Sequence, residues 1–104
     1  MSQTYNAGFI TALATGSTVT TGASSASITI PLDSAGNSPR YIRVAATTES
    51  YVKLGVSSAT ASTNDLLIQP ADSVILAIPS GITKLAYIQG TSAGKINVVP
   101  LENV

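Results

Sequence analysis

Apolar and polar residues alternate with a period of two in the middle of the chain. Residues 28–32, 41–46 and 51–56 each carry Ile, Val, Leu or Ala at every second position. Successive side chains of a β-strand point to opposite faces, so each segment is predicted to be a strand with one face in the core.

The later segments are apolar at consecutive positions rather than at alternate ones. These segments are residues 66–68, 74–78, 82–88 and 96–101. Runs of this kind are typical of strands that are covered on both faces. A second sheet or another chain could provide that cover.

Turn-forming residues separate the predicted strands. Gly, Pro, Asn, Asp and Ser cluster at residues 33–39, 57–64, 69–72, 79–81 and 89–94. No window shows the sustained 3.6-residue period of a helix, and the regular spacing of short strands is typical of sandwiches and barrels. We therefore predict an all-β fold: a single-domain β-sandwich or jelly-roll-like barrel of seven to eight mostly antiparallel strands.

The first 27 residues differ from the rest of the chain. Residues 15–27 are almost entirely Ser, Thr, Gly and Ala, so they bury little apolar area for each residue that must be ordered. We divide the chain into an N-terminal arm at 1–27 and a β-sandwich domain at 28–104. The arm could be mobile, form a pair of short edge strands, or be ordered by a neighbouring subunit.

The composition excludes several kinds of chemistry. The chain has no Cys, His or Trp, so disulfides, thiol nucleophiles, Cys-ligated zinc and Ser-His-Asp triads are ruled out. Five basic and five acidic residues give a net charge of zero, which argues against nucleic acid as a partner. The longest apolar run, Val74–Ile78, is far shorter than a membrane helix.

The N-terminus, Met1–Asn6, has no basic segment of the kind that begins a secretory signal. We therefore expect synthesis in the cytoplasm without a signal peptide, and use or assembly of the protein there.

The acidic residues are predicted to serve turns. All five lie in or beside predicted turns: Asp33, Glu49, Asp65, Asp72 and Glu102. A hydrolase that uses two carboxylates would need a facing pair, with Asp65 or Asp72 as the first to test. Asn64–Asp65 and Asp72 could offer oxygen ligands to calcium, but the alternate Asp residues and final Glu of an EF-hand loop are absent. We therefore favour an Asx-turn at Asn64–Asp65 that starts the next strand. We expect no enzymatic activity, no catalytic residue, no cofactor and no metal.

Two tyrosines and two basic residues form the candidate partner-contact site. Tyr41, Arg43, Tyr51 and Lys53 all fall on the polar side of their predicted strands, so they could share one exposed sheet face, together with Arg40. Exposed Tyr and Arg are enriched in protein interfaces. Alternatively, tyrosines including Tyr87 could stack on sugars, or the basic residues could keep sheet edges from pairing.

The surface is expected to be covered in the working state. Charged residues make up 10% of the chain, whereas about 25% is usual, and 14 Ser and 13 Thr take their place. A chain with so few charges is poorly equipped to stay separate from its neighbours. Self-association into a symmetric homo-oligomer, or docking on a repetitive lattice, would cover such a surface.

Three segments resemble small virion proteins of tailed bacteriophages. These are the strands and turns at 43–55, at 66–70 with 81–88, and at 94–102. In such proteins a strand ending in Ala-Thr precedes an aromatic-Val-basic-aliphatic-Gly strand, an Asp-aliphatic-Pro corner and a closing hairpin. The resemblance covers residues 40–102, and it includes no catalytic residues to carry over.

The resemblance implies a non-enzymatic structural subunit on the virion. The first expectation is a capsid decoration (cement) protein that binds the major capsid protein on the outer shell and stabilises contacts between capsid subunits, as a homo-oligomer with three copies as the first guess. Two alternatives remain open. One is a head–tail joining, tail or fibre-associated subunit, and the other is a small carbohydrate-binding or adhesin module.

Overall fold

The computed structural model describes residues 10–103 of the chain, and every regular element in this range is a β-strand. The strands are β1 (Ile10–Thr11), β2 (Ser17–Thr20), β3 (Ala26–Thr29), β4 (Tyr41–Ala46), β5 (Ser50–Gly55), β6 (Leu66–Ile68), β7 (Val74–Ala77), β8 (Lys84–Gln89) and β9 (Lys95–Asn103). No helix in this range could cross a membrane. The all-β prediction is confirmed.

The strands form two antiparallel sheets. In the first sheet the order is β1-β9-β4-β7, and β2 pairs with β9 on the same side as β1. In the second sheet the order is β3-β8-β5-β6. Consecutive strands other than β1–β2 and β5–β6 lie in different sheets, so the chain crosses repeatedly from one layer to the other.

The pairing scheme is that of a jelly roll. β5 pairs with β6, β4 with β7, β3 with β8 and β2 with β9, all antiparallel. These nested pairs describe one long ribbon folded back at the loop between β5 and β6. The ribbon is rolled up by the two further pairs, β4 with β9 and β5 with β8. Eight strands wound in this way make a double-sheet jelly roll.

The core lies between the two sheets and is built from alternate residues of the central strands. Both sheets contribute fully or almost fully buried side chains: Ile42, Val44, Ile96 and Val98 from the first sheet, and Val52, Ile68, Leu85 and Tyr87 from the second. The period-two alternation of β4 and β5 thus points one set of side chains inward, as predicted.

Strand β9 changes partner part-way along its length. β2 pairs with residues 95–98 and β1 with residues 102–103, so Pro100 lies between the two. The amide of Thr47 donates to the carbonyl of Lys95 (2.9 Å), which places the odd-numbered residues of β9 toward β4. The backbone of Pro100 therefore faces the gap between β1 and β2, where a missing N–H leaves no acceptor unpaired.

Close backbone contact explains the glycine that precedes β2. A Cβ on Gly16 would collide with the carbonyl oxygen of Val98 and lie 2.9 Å from Cγ2 of Val99. Only glycine allows the chain to approach β9 this closely before it enters the pairing register.

Residues 10–27 belong in part to the sandwich. β2 and β3 form the strands at one side of the two sheets, so the edge-strand alternative fits these residues. The proposed boundary between 27 and 28 falls inside β3. The rest of the expected arm, residues 1–9, lies outside the described residues. The expectation that the N-terminus carries no signal peptide concerns these same residues.

Candidate docking surface

The four predicted contact residues do not share one face. Tyr41 and Arg43 lie on β4 in the first sheet, whereas Tyr51 and Lys53 lie on β5 in the second. Both pairs point away from the core, so they lie on opposite faces of the sandwich. The expectation of a single patch is wrong because residues 47–49 carry the chain from one sheet to the other.

The outward surface of the first sheet is the more complete of the two, and we call it the docking face. It is formed by the outward residues of β2, β9, β4 and β7: Thr18, Thr20, Lys95, Asn97, Val99, Tyr41, Arg43, Ala45, Ile75 and Ala77. Leu101 has the same register but is only 8% exposed, so it adds no open surface. These four strands are adjacent and hydrogen-bonded, so the pairing register sets the spacing of the side chains.

Apolar side chains surround the basic group at the centre of the docking face. The strand register places Arg43 opposite Val99 on β9 and opposite Ile75 on β7. Ile75, on the edge strand β7, is a large apolar residue that is 53% exposed. Tyr41 lies two residues from Arg43 on the same strand and face, between Leu101 and Ala77.

The charge on the docking face has one sign. Arg43 and Lys95 are its charged residues, and both are exposed. The five carboxylates lie elsewhere: Asp33, Glu49, Asp65 and Asp72 are in loops, and Glu102 is near the end of β9. A surface on which apolar residues flank one of two cations is suited to a partner surface that is apolar and acidic.

The outward surface of the second sheet is partly covered by the chain itself. In the loop between β5 and β6, Cβ of Ala59 lies 2.6 Å from where a Cβ on Gly55 would be. Further along, the amide of Ala61 donates to Oγ of Ser25 (2.8 Å), on the far side of β8. The loop thus crosses the outward side of the sheet, where Ala86 of β8 is fully buried. Tyr51 and Lys53 remain beside this loop.

The other aromatic and basic candidates have different positions. Tyr87 points into the core and is 7% exposed, so the idea that it stacks on a sugar is wrong. Tyr5 lies outside the described residues. Arg40 precedes β4 at the end of the sandwich, where it lines a cleft of about 440 Å³ with residues 38–39 and 78–83.

A second, smaller pocket adjoins this cleft. It has a volume of about 210 Å³ and is lined by Asp33, Ser38, Arg40, Tyr41, Leu101 and Glu102. Tyr41 is therefore placed both at the border of the docking face and beside a pocket with basic and acidic groups.

The carboxylates near this pocket and in the β5–β6 loop hold backbone in place. Oδ1 of Asp33 accepts from the amides of Ala35 (3.0 Å) and Asn37 (2.9 Å). Glu102 accepts from both the amide (3.0 Å) and the hydroxyl (2.7 Å) of Ser34. Oδ2 of Asp65 accepts from the amide of Ser62 (2.7 Å). These bonds confirm the prediction that these acids stabilise turns.

Among residues 10–103, no group of three or more acidic side chains is placed to hold a metal ion. No protein-family model matches the chain, and no characterised protein or solved structure shows significant similarity to it. What the docking face can bind is therefore inferred from the residues of this chain alone.

Sequence reasoning missed the apolar part of the docking face. Ile75 and Val99 lie in segments that are apolar at consecutive positions, and that pattern predicts strands covered on both faces. Within residues 10–103, however, Ile75 is not covered. The consecutive apolar residues indicate that an outward surface is apolar, but they do not indicate which outward surface is left open.

Proposed function

We propose that the protein is a non-enzymatic structural subunit of a tailed-phage virion, a decoration protein that binds the outer shell and stabilises contacts between capsid subunits. The observation that carries this proposal is the docking face, a four-stranded sheet surface with exposed apolar residues and two cations. The jelly roll supports it by analogy, because this architecture recurs in viral capsid and lectin domains.

The low charge of the chain also supports the proposal. Ten charged residues in 104 give little protection against association, while Ser and Thr satisfy hydrogen bonds without burying charge. A homo-oligomer attached to a lattice uses such a surface rather than leaving it in water. Many copies on one particle also multiply a modest individual affinity, because neighbouring contacts act together.

In this proposal the docking face contacts the major capsid protein across two neighbouring shell subunits. Val99 and Ile75 exclude water around Arg43, and the guanidinium pairs with a carboxylate of the shell. A stable interface of standard size buries about 800 Å² on each partner. Tyr51 and Lys53 face the opposite direction and are available to a second virion component.

The test is co-sedimentation of the purified protein with capsids that lack it. We expect saturable binding that Arg43→Glu weakens at least tenfold, because the substitution opposes an acidic partner. Lys53→Glu is the matched control, since it makes the same exchange at an exposed position on the opposite face. Absence of binding at tens of micromolar would contradict a shell-binding role, and loss of binding in the control alone would place the contact on the second sheet.

The pocket beside Tyr41 favours one second candidate, a carbohydrate-binding module. A half-buried aromatic ring next to Arg40 and two carboxylates offers both stacking and hydrogen bonding to a sugar. Binding to a glycan array that Tyr41→Ala abolishes would support this function. Shell binding that Tyr41→Ala leaves intact, with an array that shows no binding, would reject it.

A further inference from the structure

We propose that the free edge of β7 pairs with the β7 edge of a second copy of this chain, giving a two-fold dimer. β7 pairs with β4 on one side, and among residues 10–103 no strand pairs with its other side. The dimer would join the first sheets of two copies into one continuous sheet. This inference stands apart from the proposed function, because it concerns the protein in solution without any shell.

The hydrogen-bonding groups that face the free edge can be identified. The amide of Ile78 donates to the carbonyl of Arg40 (2.8 Å), so the backbone of Ile78 faces β4. Backbone groups alternate in direction along an antiparallel strand. Leu76 and Val74 therefore also face β4, and the N–H and C=O groups of Ile75 and Ala77 point to the open side.

Apart from its short length of four residues, the edge lacks the devices that normally prevent pairing. Natural edge strands carry charges, proline or bulges that discourage another strand from adding to the sheet. β7 reads Val-Ile-Leu-Ala, with no charge and no proline. β2 and β3 at the opposite side of the sandwich also lack charge and proline, but they are rich in Ser and Thr, whereas β7 is wholly apolar.

A second copy fits this edge because the strand is complementary to itself. A two-fold axis at Ile75 places Ile75 opposite its own copy and Ser73 opposite Ala77. This register forms two N–H···O bonds between the two copies of Ile75, and up to four more between Ala77 and Ser73, the residue before β7. It also keeps residues of the same face together, so both docking faces lie on one side of the dimer.

Charge complementarity supports the same register. Continued beyond both ends of β7, the register brings Asp72 of one copy, in the turn before the strand, opposite Ile78 of the other, and Arg40 is the neighbour of Ile78 on the next strand. Two strand spacings separate the acidic and basic residues, about 9.6 Å, which their side chains can bridge. The two-fold symmetry forms this pair twice. β7 carries no charge, so the two paired edges bring no like charges together.

The association is expected to be weak, since a short ladder buries less area than a standard interface. Sedimentation velocity should show the mass of two copies at a few hundred micromolar and of one copy at about one micromolar. Because an antiparallel edge pair is two-fold, it closes at two copies. A mass of three copies, or a lone monomer at every concentration, would overturn the proposal.

Ala77→Pro tests the edge itself. The Ala77 N–H points to the open side, so proline removes no bond within the chain but blocks the partner strand. We expect a monomer at the concentration where the wild type is dimeric. Ser27→Pro is the matched control on β3, the edge strand of the second sheet. The amide of Ile30 donates to the carbonyl of Thr83 (2.9 Å), so the backbone groups of alternate residues from Ile30 face β8. The N–H of Ser27 therefore points to the side where no strand pairs within residues 10–103. This control should remain dimeric.

Charge reversal tests the register without touching the strand. Asp72→Arg and Arg40→Asp should each weaken dimerisation several-fold, and the double variant should restore it. Failure of the double variant to recover would overturn the proposed register.

Hydrogen exchange adds an independent readout: the Ile75 and Ala77 amides should become protected only as concentration rises. Protection of these amides in a monomer would show that the same chain covers the edge, and it would overturn the dimer.

Discussion

At the scale of single residues, the turn between β6 and β7 holds one strained position. Ala71 has a φ of 64°, the one positive value for a non-glycine residue among residues 10–103. The amide of Asp72 donates to the carbonyl of Gln69 (3.2 Å), and Pro70 occupies the second position of the turn. This arrangement resembles a type II turn, whose third position favours glycine.

Replacing Ala71 by Gly is expected to raise the free energy of unfolding by about 0.5–1 kcal/mol. The relief of left-handed strain exceeds the added freedom of the unfolded chain. Urea denaturation measures the change. The control is Ala93→Gly, at an exposed loop position without positive φ, where we expect a small loss of stability. Equal effects at the two positions would mean that Ala71 is not strained.

The sequence predicts the location of this turn but not its strain. Pro70 and Asp72 mark residues 69–72 as a break between strands. Alanine gives no indication that its own backbone takes a positive φ, because any residue can follow proline in a turn. The same holds for Gly16, whose role depends on the approach of β9, a strand about 80 residues away in sequence.

At the scale of elements, period-two alternation locates the strands well and their partners poorly. Residues 41–46 and 51–56 alternate in the same way and are separated by a short connection, so they resemble a hairpin on one sheet. In the structure, Thr47 bonds to Lys95 instead and the chain crosses to the other sheet. Strand pairing in a jelly roll depends on segments that are distant in sequence, and the local alternation of residues does not identify those segments.

Hydroxyl groups hold together the end of the sandwich where the chain crosses between sheets. Thr21 is 3% exposed, and its Oγ1 accepts from the amide of Gly94 (2.8 Å) and lies 3.2 Å from the Gly94 carbonyl. A residue next to β2 is thereby tied to the loop that connects β8 with β9. Ser and Thr in this chain thus bond the backbone of distant segments as well as decorating the surface.

Thr21→Val should lower the free energy of unfolding by about 1–3 kcal/mol, because it leaves the Gly94 amide without its acceptor. Thr18→Val is the matched control: its Oγ1 accepts from the Asn97 side chain at an exposed site, and we expect less than about 1 kcal/mol there. Urea denaturation and exchange of the Gly94 amide provide the two readouts. A similar loss in both variants would contradict the role assigned to Thr21.

At the scale of the whole molecule, low charge and an open apolar surface belong together. The composition predicts a protein covered by companions, and the two sheets reveal which surface is left uncovered within residues 10–103. Tyr41 and Arg43 lie on that surface, while Tyr51 and Lys53 lie on the other side. A residue list from the sequence could not separate the pairs, because only the crossing between the sheets assigns them to opposite faces.

The most direct test of a shell-bound subunit is a cryo-electron microscopy reconstruction of virus particles from cells that produce this protein. We expect density for the jelly roll on the outside of the capsid, with Arg43 and Ile75 turned toward the shell subunits. Density for the protein confined to the head–tail junction or tail, or intact particles without it, would contradict the decoration role.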